Sequence, residues 1–134
     1  MVVPHFFQSS EQTCGPACLR MLFAALGASY DETTIAQHCA LTPLGSTVQN
    51  LVIGSQALGF SAALLPVFSE PAGIGALSNE TPFVAMIDLA GLYGGTMYQW
   101  HFVVPVALAQ EELVFHDPAD GPDRRAKPDD FLAA

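Results

Sequence analysis

The stretch QSSEQTCGPACLRML, Gln8 to Leu22, sets a cysteine at the first turn of an apolar helix, six residues after a glutamine. From Thr13 onward, Cys14, Ala17, Cys18, Met21, Leu22 and Ala25 recur at the spacing of one helix face. Thr13 can cap this helix, Pro16 is tolerated in its first turn, and Gly27 can close its C-terminus. A buried cysteine would account for the sulfur but not for the glutamine or for Gly15. A nucleophile accounts for all three. The free N–H groups of a helix N-terminus favour a thiolate over a thiol. Gly15 has no Cβ, so another backbone or a substrate can come close. The Cys14 N–H and the Gln8 side-chain amide can together face a carbonyl oxygen that turns negative during acyl transfer. Cys18, one turn further on, reads as a core residue.

Downstream, DETTIAQHCA (Asp31–Ala40) reads as a short second helix with acids at its positive end. GSTVQNLVIGSQALGF reads as a third, capped by Ser46 or Thr47, with Leu51 and Leu58 on one face and Gly59 at its end. After Gly59 the texture changes to strand. FSAALLPV, PFVAMIDL, HFVVPVAL and ELVFHD are short apolar runs, the last two rich in branched and aromatic residues. SEPAGIGALSNE reads as a loop or brief helix, and AGLYGGTMYQ as a mobile loop. Helices over about 8–59 followed by an antiparallel sheet over about 60–134 is the order of an α+β domain, here a single one spanning 1–134.

A thiol nucleophile needs a base. Of His5, His38, His101 and His116, His101 opens one strand-like run, and the next run ends in Phe115-His116-Asp117-Pro118. With Leu108–Gln110 as a three-residue connection, the two runs form a hairpin that sets His101 opposite Asp117. Directly opposed residues share a sheet face, so the carboxylate can fix the imidazole tautomer and stabilise its charged form. A shift of one residue in register would spoil that pairing. Asp120 and Asp123 fall in the turn-rich PADGPDRR and are expected to face water, as are Arg124, Arg125 and Lys127.

Thirteen acidic against four basic side chains give a formal charge of -9. That balance repels phosphate backbones and anionic lipid, so neither nucleic acid nor a membrane surface is an expected partner. Half the residues are apolar (51%) and 13% are charged, the composition of a packed core. No apolar run reaches the roughly 18 residues of a membrane span, and MVVPHFFQSS lacks the form of a signal peptide. The expected location is therefore the cytoplasm, with Cys14, Cys18 and Cys39 reduced. Cys14-x3-Cys18 and His38-Cys39 lack the paired spacing of a zinc site, so neither metal nor cofactor is expected.

With these residues in view, the chain resembles the bacteriocin-processing cysteine peptidases, papain-like domains that cut leader peptides after a double glycine. The resemblance runs through Gln8-x5-Cys14-Gly15-Pro16-Ala17-Cys18-Leu19, the GSTVQNLVIGSQALGF segment, and HFVV followed by Asp117-Pro118. It implies a papain-like fold, with Cys14 as nucleophile, His101 as base, Asp117 as orienting acid and Gln8 as oxyanion donor. The implied partners are a leader-peptide substrate and a peptide-exporting transporter. Thr13 stands where transporter-fused members usually carry an acid, and Gly15-Pro16 looks more like the stand-alone relatives, so a stand-alone domain is expected. Gly15, Tyr98 and Trp100 are candidates for substrate contact, the last two from the loop that leads into His101. Two other functions fit the same residues: a peptide-binding module without useful turnover, and an acyl transferase similar to the phytochelatin synthases.

Overall fold

The computed structural model describes residues 2–43, 45–64, 81, 83–94 and 99–133. Three helices come first: α1 (Cys14–Ala25), α2 (Glu32–His38) and α3 (Val48–Ala57). Their ends follow local chemistry. The Asp31 carboxylate accepts the Thr34 N–H at 2.7 Å to start α2, and the Thr47 hydroxyl accepts the Asn50 N–H at 3.1 Å to start α3. Gly27 (φ 86°) and Gly59 (φ 95°) follow α1 and α3 in the left-handed region that stops a helix. Thr13 precedes α1 but does not cap it with its side chain. Its hydroxyl is instead engaged with the Ser10 N–H and carbonyl, at 3.0 and 3.1 Å.

The sheet has strands β1 (Ala85–Asp88), β2 (Trp100–Ala109), β3 (Glu112–Asp117) and β4 (Gly121–Ala126), all antiparallel and in that spatial order. A short helix α4 (Leu89–Tyr93) follows β1, and α5 (Pro128–Ala133) follows β4. Alternation along β2 divides two cores. Phe102 and Val104 join Cys18, Leu19, Met21, Phe23, Ile35, Cys39 and Leu51 under the N-terminal helices. Val103 points the other way, into a cluster with Ala85, Ile87, Leu113, Phe115 and Phe131.

Several expectations need correction. β4 lies in the segment read as turn-rich loop; its Asp123, Arg124 and Arg125 are exposed, as expected, but on an edge strand whose Pro122 sits where no ladder donor is required. Phe60–Leu64 form no strand. Phe60 instead stacks on Phe23, ring centroids 4.1 Å apart, and so extends the helical core. The rest of FSAALLPV and all of SEPAGIGALSNE lie outside the described residues, as does Tyr98. The first part of AGLYGGTMYQ is helical, because Asp88 caps α4 through the Ala90 N–H at 3.1 Å and also accepts the Gln99 N–H at 2.9 Å.

The β2–β3 hairpin differs most usefully. Its connection has two residues, Gln110 (φ 54°) and Glu111 (φ 65°), and Ala109 pairs with Glu112. A regular ladder continued from that turn would bring Asp117 level with Val104, on the face away from His101. Between Pro105 and Ala107 the register shifts by one, so that Val104 pairs with His116. Pro105 has no N–H to give the ladder, and a bulge is where a strand tolerates that loss. Continuing the shifted register places Asp117 level with Val103. His101 is thus the diagonal neighbour of Asp117 on the shared face, not its direct opposite, and a diagonal pair is still within reach of long side chains.

Candidate active site

His101 and Asp117 are both buried, 5% and 1% exposed, and the ring Nε2 meets Asp117 Oδ1 at 2.7 Å. The carboxylate is held from every side. Oδ1 also accepts the backbone N–H groups of Ala119 (2.8 Å) and Asp120 (3.3 Å), an Asx turn that the tight β3–β4 connection provides. Oδ2 accepts the Tyr93 hydroxyl from α4 at 3.3 Å, and the Asp117 carbonyl is 2.7 Å from His5 Nε2. Burial pushes the carboxyl up, but the bonds from His101, Ala119 and Asp120 together hold it below its usual value. For Tyr93, burial and then the Asp117 charge push the phenol well up, so its O–H remains a donor.

Nε2 is taken by Asp117, and the Cys14 side chain, at the start of α1, is the second group that acts on the ring. Burial disfavours the charged ring. The bond to Asp117, the bond to Cys14 and the negative charges of both outweigh it, and the imidazole is pushed up to about 9. Cys18 differs from Cys14 although it is only one turn away. It is completely buried, and burial, then the charges on Cys14 and Asp117, raise its thiol well above the ordinary range. Burial likewise lifts Cys39 to about 11. Half-exposed Cys14 beside an imidazole, and two buried thiols that resist ionisation, is a chemical distinction the sequence spacing alone does not make.

Gln8 reaches this region on an N-terminal strap fastened along its length. His116 Nε2 donates to the Val3 carbonyl at 2.8 Å, while its Nδ1 accepts the Asp123 N–H at 3.2 Å. Arg20 lies over the Phe6 ring, 4.0 Å from its centroid. The Gln8 N–H donates to the Pro118 carbonyl at 2.8 Å, one residue past Asp117. Ser9 is clamped by Glu32 at the start of α2, through its N–H at 3.1 Å and through its hydroxyl. The Gln8 side chain itself donates from Nε2 to the Ser10 carbonyl at 2.7 Å, and its Oε1 is buried without a partner among the described residues.

Of the residues expected to contact substrate, Gly15 is buried against the protein itself. A Cβ there would fall 2.9 Å from a Leu51 methyl and 3.4 Å from the Phe102 ring, so what approaches this glycine is the α3 and β2 side chains. Trp100 stands at the open end of β2, 59% exposed. Sequence reading did not single out Tyr93, His5 or Glu32. Each acts through a contact distant in the chain, and no local pattern marks it.

A helix-and-antiparallel-sheet scaffold thus holds a buried imidazole against a carboxylate, with a cysteine side chain acting on the same ring. A family model described as the Peptidase C39 family matches residues 3–133, and the chain belongs to that family. It is 26% identical over 119 residues to the colicin V secretion/processing ATP-binding protein CvaB of Escherichia coli; the match covers 89% of this chain but 15% of that much longer protein. Among solved structures, the peptidase domain of Streptococcus ComA, a bi-functional ABC transporter of a quorum sensing pathway, superposes with a TM-score of 0.73. It is 20% identical, over 95% of this chain and 88% of that one. A double glycine motif protease from an AMS/PCAT transporter, solved with its leader peptide, gives a TM-score of 0.64 at 18% identity, over 98% and 84% of the two chains. These likenesses show the papain-like fold. No helix among the described residues is long and apolar enough to cross a membrane.

Proposed function

We propose that the protein is a cysteine peptidase that cuts after a Gly-Gly leader in the precursor of an exported peptide. The observation that carries this reading is the buried His101 ring, bonded to Asp117 at 2.7 Å and also influenced by the Cys14 side chain. In this mechanism the Cys14 thiolate attacks the scissile carbonyl carbon, and the negative oxygen is met by the Cys14 N–H and the Gln8 side-chain amide. The C–N bond then breaks as the charged His101 gives its proton to the leaving amine, leaving a thioester. Neutral His101 next takes a proton from water, which attacks the thioester and frees Cys14. Asp117 keeps Nε2 protonated throughout and stabilises the ring's positive charge. The similarity to CvaB, a secretion/processing protein, and to the peptidase domain of ComA, an ABC transporter, supports a peptide-exporting transporter as the partner and the cytoplasm as the place of action.

One observation favours a second reading, a peptide-binding module with little turnover. The Gln8 amide donates one of its two N–H groups to the Ser10 carbonyl, so at rest only the other is left for an oxyanion. A thiol probe separates the two. A peptidase labels at Cys14 rapidly near pH 7, loses that labelling in His101→Ala, and cleaves a Gly-Gly leader peptide. Slow labelling of Cys14 at the rate of Cys18, with no cleavage, would leave only the binding module.

A further inference from the structure

A cavity of about 310 Å³ opens against the His101 imidazole. Its floor is His101 and Asp117; its walls are Leu89 and Tyr93 of α4 and Ala119 and Asp120 of the β3–β4 turn. Nothing in the chemistry described so far uses Leu89, the Ala119 side chain or the Asp120 carboxylate. From this placement we infer that the cavity receives the side chain of the residue just after the scissile bond, and that it selects apolar over acidic side chains there. The inference rests on the peptidase reading above and adds to it a preference on the leaving-group side.

The position follows from the proton. His101 must hand its proton to the leaving nitrogen, so the leaving segment departs across the imidazole, away from the leader held at Cys14. An extended chain advances about 3.3–3.6 Å per residue, so the side chain of the first leaving residue stays beside that ring. The ring that serves that nitrogen is also the cavity floor. The chemical preference follows from the walls. Leu89, the Tyr93 ring and the Ala119 methyl offer apolar surface. The Asp117 and Asp120 carboxylates would repel an acidic occupant. Asp120 is not free to recruit a cation, because Arg124 Nε lies 3.0 Å from its Oδ2 and Arg124 also donates to its carbonyl at 2.7 Å.

The test uses the full chain and quenched peptides identical through Gly-Gly, with Leu, Phe, Asp or Gly as the next residue. The expected result is a kcat/KM for Leu at least ~10-fold above that for Asp, the scale on which such pockets discriminate. Ala119→Phe, which fills the cavity, should lower the Leu/Gly ratio about 10-fold, and Leu89→Ala, which enlarges it, should raise the Phe/Leu ratio. Equal cleavage of the Leu and Asp peptides by the unmodified protein would overturn the inference while leaving the peptidase reading intact. So would variants that change every peptide by the same factor. If the unmodified protein cuts none of the peptides, the peptidase reading falls and this inference falls with it.

Discussion

The Asp117 carboxylate and the Gln8 carboxamide are tied together by one backbone bond, from the Gln8 N–H to the Pro118 carbonyl, yet their side chains are held in opposite ways. Asp117 has both oxygens engaged, by His101, Ala119, Asp120 and Tyr93. Gln8 has its donor turned onto its own loop and a buried oxygen with no partner among the described residues. An unpartnered buried polar atom costs about 1–3 kcal/mol, so the Gln8 side chain sits in a position that folding alone does not favour. In the proposed mechanism the acid–base half would therefore be complete before substrate arrives, whereas the Gln8 amide, the proposed oxyanion donor, is partly engaged with Ser10.

Removing a member of each half should expose the contrast. Asp117→Asn strikes the finished half, and we expect kcat to fall by about 10²- to 10⁴-fold, because the imidazole loses both its orientation and the charge that stabilises its protonated form. Stability should fall as well, by about 1–3 kcal/mol, since an amide cannot accept all the donors gathered there. Its pH profile should move too: without the carboxylate the His101 ring no longer holds its proton up to about 9, so the alkaline limb of kcat/KM shifts to lower pH. An unshifted limb would mean that Asp117 does not set the imidazole. Gln8→Ala strikes the unfinished half. Its kcat should drop about 10²- to 10³-fold, the usual loss for one oxyanion donor. Thermal unfolding should leave its stability within about 0.5 kcal/mol of the parent or slightly higher, because the orphaned oxygen is gone. Loss of stability in Gln8→Ala comparable to that in Asp117→Asn would erase the distinction.

The same pair gives the fold a pH window. His101 has a raised value in the folded chain, so the stability it lends is whole below its unfolded value of about 6.5 and is lost as pH rises through about 9. Asp117 is held low, so its contribution is whole above about 3.8 and is lost as pH falls through its depressed value. Denaturant midpoints should accordingly be flat between about pH 4 and 6.5 and decline on both sides. Asp117→Asn should flatten both declines.

How far the chain could be read before its structure depended on how local each determinant is. The caps of α2 and α3, the glycine stops and the cysteine at the head of α1 are written in a few adjacent residues, and they stand where the pattern put them. His101 and Asp117 were paired by counting along a hairpin, and they do meet. The count passed through a turn one residue too long and a strand without its bulge, and the two errors offset one another to leave the right face. β4 was hidden because an edge strand with Gly121, Pro122 and three charged residues has the composition of a turn. The unassembled state of Gln8, the Tyr93 bond and the packing of Leu51 on Gly15 belong to tertiary contacts that no spacing encodes.

The hairpin turn that set this register also offers the smallest effect and the sharpest check of it. Gln110 and Glu111 both occupy the left-handed region, which costs an L-residue roughly 1–2 kcal/mol, whereas glycine enters it freely. Glycine brings a backbone-entropy penalty of about 0.5–1 kcal/mol in return. The strain relieved exceeds that penalty, so Glu111→Gly should stabilise the chain by about 0.5–1 kcal/mol in denaturant unfolding. Glu111 is exposed and its substitution touches neither half of the site. kcat/KM should therefore remain at the parental value. Destabilisation instead would mean that the turn is not the two-residue connection described, and the route by which Pro105 and its bulge bring Asp117 onto the His101 face would have to be redrawn.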